Sequence, residues 1–372
     1  VITLENVTKI YHGDVKAVNN VSFTIPEGEV CILVGPSGCG KTTLLKMMNR
    51  LIQPTSGRIL VAGRDTSGVN ADELRRDIGY AIQDIGLFPH LTVAANIAVV
   101  PSLKKYPKGK TRQRVDELLE LVGLNPDEFR HKYPRQLSGG QQQRVGVARA
   151  LGADPPILLM DEPFGAIDPI TRSRLQDEFL KIQEKLKKTI VFVTHDIDEG
   201  LKMGDRIALL RQGELVQYDT PQDLLAHPRN GFVRDFIGAD SSIKRLALMK
   251  VAEVMNANVL TVKLEQTASE ARDLMEQNGL DSVIVVDEKY VPRDWLDLSD
   301  LKAGTGRVSD IISTKPIEEI AVDGSMRVRD ALAKMLTTGL SRLSVVDERK
   351  SFKGEITFSA LQQVVGDDKQ LK

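Results

Sequence analysis

The sequence predicts an α/β protein: a parallel sheet with helices on both faces, followed by a smaller α+β region made of two repeats. Three observations predict it. Short, wholly apolar runs alternate with helix-patterned stretches before residue 237. Three of those runs close on Gly35, Asp161 and His195. Beyond residue 240 the chain repeats itself at an offset of 60 residues.

The runs are Glu29 to Val34, Ile157 to Met160 and Thr189 to Thr194. A strand with no polar alternation is buried on both faces, as in a parallel sheet between helices. Ligands of such sheets bind at the carboxyl ends of the strands, where Gly35, Asp161 and His195 fall. Lys41 to Leu51 reads as a helix with Leu44, Leu45, Met48 and Leu51 on one face. Gly238 to Ser242 is a small, polar linker. After it, Ala271, Met275, Gly279, Leu280, Val285, Val286, Asp287 and Glu288 recur as Ala331, Met335, Gly339, Leu340, Val345, Val346, Asp347 and Glu348. Each unit reads as a helix, a Gly-Leu turn and a β-branched strand. One unit alone is too small for a good core, so the two should pack together.

Composition narrows the function. Fifty Lys and Arg face 51 Asp and Glu in 372 residues, a net charge of −1, which argues against nucleic-acid binding through a basic excess. With 41% hydrophobic and 27% charged residues, dominant disorder is excluded. Two cysteines, Cys31 and Cys39, make no disulfide framework and fit a reducing compartment. Val1 to Glu5 lacks the basic region of a signal peptide. The best membrane-span candidate, Gly86 to Leu103, holds Pro89, His90, Asn96 and Pro101 and is at the short limit of the ~20 apolar residues a span needs. Work at a membrane would need another chain to hold this one there.

Gly35-Pro36-Ser37-Gly38-Cys39-Gly40-Lys41-Thr42 matches G-x-x-x-x-G-K-[ST] in full, between a strand and a helix. Backbone N–H groups must turn inward to surround a phosphate, and glycines allow it. The following helix adds its positive N-terminus. Lys41 reaches the β- and γ-phosphates in this reading, and the Thr42 hydroxyl ligates Mg²⁺. Asp161, after its strand, suits Mg²⁺ through the water shell, and Glu162 beside it can polarise an attacking water. Ser138 before Gly139, Gly140 and Gln141 has two readings. It is an N-cap for a helix starting near Gln142, or part of a second anion site. One chain rarely needs two such loops for one nucleotide, so the second would serve a neighbour's.

These motifs, with Leu137 to Gln141 as the signature, resemble the ATPase subunit of ATP-binding-cassette (ABC) transporters over residues 1 to about 236. The resemblance implies a nucleotide-binding domain with a parallel-sheet core and a helical subdomain. It implies ATP and Mg²⁺ as ligands, with Thr43 joining the phosphate loop. Tyr11 would stack on adenine, Gln83 would contact Mg²⁺ and the attacking water, Asp168 would be the D-loop aspartate, and His195 would contact the γ-phosphate. Gly165-Ala166-Ile167-Asp168 departs from the usual Ser-Ala-Leu-Asp but keeps the aspartate. The family works as a head-to-tail homodimer, each nucleotide lying between one phosphate loop and the partner's signature, and the dimer drives transmembrane permease subunits.

Gln83 to His90 and Lys46 to Leu51 look like importers of glycine betaine, carnitine, choline and proline, with Asp84 a departure. The repeats resemble cystathionine-β-synthase-type (CBS) modules, which such ATPases often carry. The implied organisation is an ATPase domain over 1–237, a linker over 238–250 and CBS modules over 251–305 and 306–365. A substrate-binding protein outside the membrane would be an indirect partner, and the chain would sit on the cytoplasmic face. CBS pairs often hold a ribose through an aspartate after the last strand. Asp300 aligns there in the first module and Ala360 in the second, which leaves an adenine nucleotide, a cyclic dinucleotide or ionic-strength sensing open. Two other readings stand beside the importer: one for a different solute, and a soluble non-transport ABC ATPase. A non-catalytic sensor would need a broken catalytic set, yet Lys41, Asp161, Glu162 and His195 are all present.

Overall fold

The computed structural model describes residues 1–81, 86–165, 167–238, 240–301, 306–312 and 316–366. The chain divides into two compact units, Val1–Gly238 and Ala239–Lys372.

The first unit holds two sheets. Its central one has six strands in the order Glu214–Asp219, Arg206–Arg211, Val30–Val34, Thr189–Val193, Ile157–Asp161, Ile78–Ala81. Neighbours are parallel except Glu214–Asp219, the antiparallel edge. All five residues of Val30–Val34, of Ile157–Asp161 and of Thr189–Val193 are buried, which is why none of these strands alternates. The second sheet is antiparallel, in the order Val15–Ile25, Ile2–Tyr11, Ser56–Val61, Arg64–Asp65.

Helix Lys41–Met48 shares one core with both sheets: Leu44, Leu45, Met47 and Met48 pack among Ile2, Leu4, Cys31, Leu33, Leu159 and Val193. Burying each such side chain stabilises the fold by about 1.5–3 kcal/mol. The helix ends at Met48, because Arg50 turns to a left-handed φ of 50°. Leu51, expected on the buried face, lies past that turn and is exposed. Between strands Ile78–Ala81 and Ile157–Asp161 the chain makes helices Val93–Ile97, Val99–Leu103, Lys108–Leu121, Pro126–Phe129 and Gly139–Leu151, a helical subdomain inserted into the sheet. No helix among the described residues is long and apolar enough to cross a membrane.

The second unit repeats one design twice. Thr261–Lys263 runs parallel to Ser282–Val286, which pairs antiparallel with Pro292–Asp297. Ala321–Asp323, Arg342–Val346 and Phe352–Thr357 do the same. Registers agree across the repeat: Thr261 faces Ile284 as Ala321 faces Ser344, and both hairpins shift at the equivalent place, Val285/Val286 and Val345/Val346. The shared Asp of each repeat is structural. Asp287 Oδ1 accepts from the Lys289 and Val291 N–H groups, and Asp347 Oδ1 from those of Arg349 and Ser351, fixing both turns. The modules meet where Phe352 packs with Ile284, Val286 and Trp295. Helix Ser241–Leu248, inside the stretch expected as linker, sends Leu246 into the core of the second module beside Val328 and Leu343.

Candidate functional site

The phosphate loop leaves the buried strand Val30–Val34 at a glycine that only a glycine can occupy. Gly35 has φ 149°, and a Cβ there would lie 2.2 Å from the Leu210 carbonyl oxygen. Gly40 has φ 103° and leads into helix Lys41–Met48; its Cβ would lie 2.3 Å from the Ala17 carbonyl oxygen. Between them Gly38 takes φ 77° with open space around it. The result is a backbone cradle at a helix N-terminus, the geometry an oxyanion needs. Lys41 is buried, and its Nζ donates to the carbonyls of Gly35 at 2.7 Å and Pro36 at 3.0 Å. The ammonium therefore lies within the loop it serves. Cys39 is a packing residue here: burial pushes its thiol up, against the pull of Lys41.

Four more predicted residues gather here, three of them at neighbouring strand ends. Thr42 Oγ1 donates to Asp161 Oδ1 at 3.1 Å. Glu162 follows the strand in a left-handed conformation, φ 45°, with its N–H bonded to the Val193 carbonyl at 3.1 Å. A non-glycine residue held there costs about 1–3 kcal/mol and belongs to the kind of strain that collects at functional sites. His195 Nδ1 lies 3.3 Å from Glu162 Oε1. Thr42 and Asp161 are hard oxygen donors, and Mg²⁺ commonly takes one or two such protein ligands together with substrate phosphates. The pair fits a cation that arrives with a nucleotide.

Burial pushes the Asp161 carboxyl up; the Thr42 hydrogen bond opposes this, and the charge of Glu162 adds to it. A carboxyl raised in the folded state weakens folding once it ionises. The penalty is absent below the unfolded carboxyl pKa of about 4, grows as pH rises past it, and is complete above the folded value. Asp161→Asn should therefore raise the nucleotide-free melting temperature at pH 7.5 by about 2–4 °C, and ATP turnover should vanish. Melts repeated below pH 4 should show the gain shrinking, and an equal gain at both pH values would contradict this account.

Tyr11 ends strand Ile2–Tyr11 opposite Val15, its exposed ring 5.3 Å from Lys9 Nζ, and the next strand brings the Ala17 carbonyl against Gly40. Gln83 and Asp84 lie outside the described residues. Ser138 caps helix Gly139–Leu151 in a reciprocal box: its Oγ accepts from the Gln141 N–H, and Gln141 Oε1 accepts from the Ser138 N–H. The helix begins three residues before the expected Gln142. A Cβ on Gly139 or Gly140 would meet nothing within 4 Å among the described residues. Glycine weakens a helix by about 1 kcal/mol relative to alanine, so nothing in this chain's packing calls for these two. Asp168 caps helix Pro169–Leu186 through the Thr171 N–H at 3.0 Å.

Sequence reasoning missed a buried polar group beside His195. Glu199 is 9% exposed, in a helix, Ile197–Met203, that also buries Ile197, Gly200, Leu201 and Met203. In the second unit, Asp300 Oδ2 accepts from the Asp297 N–H at 3.4 Å, and Ala360 N–H donates to Thr357 Oγ1 at the equivalent helix start.

Comparison with known proteins agrees with this geometry. The ABC transporter family model matches residues 18–165, and the CBS domain model matches 251–302 and 308–367. The chain is 46% identical over 378 residues to the choline transport ATP-binding protein OpuBA of Bacillus subtilis, covering all of this chain and 99% of that one. It is 46% identical to the osmoprotectant import ATP-binding protein OsmV of Salmonella typhimurium, covering 96% of this chain and 94% of that one. A dimeric post-hydrolysis structure of the ATP-binding cassette MJ0796, bound to ADP and Pi, is 38% identical with a TM-score of 0.56, over 59% of this chain and 99% of that one. The chain belongs to the ABC transporter ATP-binding family and carries a C-terminal pair of CBS domains.

Proposed function

We propose that this chain is the ATP-hydrolysing subunit of an importer for quaternary-amine osmoprotectants of the glycine betaine, carnitine, choline and proline class. The contact of Glu162 with His195 beside the Thr42–Asp161 pair carries the catalytic reading. Relatives named for choline transport and for glycine betaine, carnitine and choline transport support the cargo class.

ATP binds with its adenine on Tyr11 and its phosphates in the cradle from Gly35 to Thr43. Lys41 turns from its own loop carbonyls to the β- and γ-phosphates. Thr42, Asp161 and Gln83 would hold Mg²⁺, which supplies charge neutralisation at the phosphates. Glu162 polarises the attacking water, and His195, held against it, contacts the γ-phosphate. Ser138, Gly139, Gly140 and Gln141 of a second copy close over the same nucleotide, with Asp168 at the seam. Two copies work head to tail under transmembrane permease subunits at the cytoplasmic face, and a substrate-binding protein delivers cargo from outside. Vesicles containing the permease and this chain should take up glycine betaine only with ATP inside. Uptake without ATP, or ATP turnover that never supports uptake of any quaternary amine, would refute the assignment.

The CBS pair regulates this engine in the same reading, through an adenine nucleotide, a cyclic dinucleotide or ionic strength. Every residue assigned to nucleotide chemistry lies before residue 200, in the first unit. A chain ending near Asp240 should hydrolyse ATP and dimerise on it while losing the regulatory response, an effect of about 5–150-fold in the coupled equilibrium. Transport by both proteins would be titrated with salt and with adenine nucleotides, cyclic di-AMP included. Superimposable curves would leave the pair a scaffold.

A further inference from the structure

The turn that carries His195 is fixed from beneath by one carboxylate. Thr194 is 2% exposed, and its Oγ1 donates to Glu199 Oε2. The same oxygen accepts from the Asp196 N–H at 3.1 Å, which leaves the hydroxyl proton for Glu199. Asp196 in turn caps helix Ile197–Met203, accepting from the Asp198 and Glu199 N–H groups. Both neighbours of His195 are thus pinned, one by the carboxylate and one by the helix that bears it.

The other oxygen of Glu199 faces a different element. Gln176 Nε2 donates to Glu199 Oε1 at 2.9 Å, and Gln176 is 6% exposed. Gln176 lies on helix Pro169–Leu186, which Asp168 caps. One turn earlier on that helix, Arg172 Nη2 donates to the Ile167 carbonyl at 2.9 Å and reaches the Gly165 carbonyl at 3.5 Å. Burial pushes the Glu199 carboxyl up, against the hydrogen bonds from Thr194 and Gln176, and Asp196 adds to the rise while the charge of Arg172 opposes it. Glu162, Gly165, Arg172, Thr194, His195 and Glu199 line one small cavity.

A buried carboxylate is expensive unless its oxygens are satisfied. Packing alone would be served by leucine here, as it is by Leu201 two residues on. What the carboxylate adds is direction: each oxygen takes a hydrogen bond from a different element, so the turn of His195 is held in fixed relation to the helix opened by Asp168. We propose that Glu199 is a positioning residue that, through Thr194 and Gln176, sets the His195 turn against the Asp168 helix for γ-phosphate hydrolysis. This rests on the role proposed above for His195. Glu199 touches no reacting atom, so its effect passes through the histidine.

The test uses the full chain, steady-state ATP turnover and thermal melting. Glu199→Ala should lower kcat by about 10- to 100-fold, the cost of a misplaced catalytic group, with KM for ATP within about threefold of the parent. Thr194→Val, nearly isosteric and less prone to misfold, should reproduce the loss, and Thr194→Ser, which keeps the hydroxyl, should recover turnover. On a His195→Ala background, Glu199→Ala should slow the residual rate no further. The proposal falls if Glu199→Ala and Thr194→Val both turn over normally while His195→Ala is slow. It falls equally if the two losses multiply on the His195→Ala background, or if Thr194→Ser is as slow as Thr194→Val, since the residues would then act for the fold alone. Normal turnover by His195→Ala would remove the role of the histidine and this inference with it.

Discussion

Glu162→Gln should bind ATP as the parent does and fail to hydrolyse it. The substitution keeps the size of the side chain and the left-handed backbone of residue 162. It leaves Lys41, Thr42 and Asp161 untouched, so the phosphate cradle and the Thr42–Asp161 pair persist. What it removes is the anionic oxygen that, in the proposed mechanism, draws a proton from water, together with the charge that faces His195 at 3.3 Å. A positioned base contributes about 10²–10⁴ in rate, and turnover should fall by that factor with ATP affinity little changed. In the proposed cycle binding closes the dimer and hydrolysis lets it open, so the variant should accumulate as a dimer when ATP is added. Size-exclusion chromatography with and without ATP reads this directly. Near-normal hydrolysis at saturating ATP would mean that another group orients the water.

The central strands were legible because burial on both faces leaves one mark, an unbroken apolar run. Val30–Val34, Ile157–Asp161 and Thr189–Val193 carry it, and their carboxyl ends located Gly35, Asp161 and His195. The repeat was legible to the level of register, since a 60-residue offset in sequence became equivalent pairings and equivalent bulges. Element ends were harder. Apolar periodicity continued to Leu51, but the helix stops where Arg50 adopts positive φ, a backbone choice that no side-chain pattern announces. Gly139 and Gly140 looked like loop by propensity, and the reciprocal bonds of Ser138 and Gln141 overrode that. Glu199 escaped notice for a different reason. Its partner Gln176 is 23 positions away in sequence, and only the fold brings the two side chains to 2.9 Å.

Lys41→Ala and Ser138→Arg should each give an inactive homodimer, and a mixture of the two should regain activity. The first removes the ammonium that lies within the phosphate loop. The second puts a long cation where the signature should meet the neighbour's nucleotide, at the cost of an N-cap worth about 1 kcal/mol, which leaves the subunit folded. Ser138 and Gly139 are exposed, and alanine-sized groups at Gly139 and Gly140 would touch nothing among the described residues of this chain. Glycines with open space beside them are what a surface needs when another chain must approach its backbone closely. In the mixed dimer one site combines both lesions, and the other combines an intact phosphate loop with an intact signature. Random pairing at equal amounts makes half of the dimers mixed, so about a quarter of all sites are whole, and regained turnover should peak near that fraction of the parent at a one-to-one ratio. A dimer that needs both sites would regain less but still peak at that ratio. If every mixture stays as slow as its parents after the subunits have been allowed to exchange without ATP, each chain completes its own site and the head-to-tail assembly is wrong.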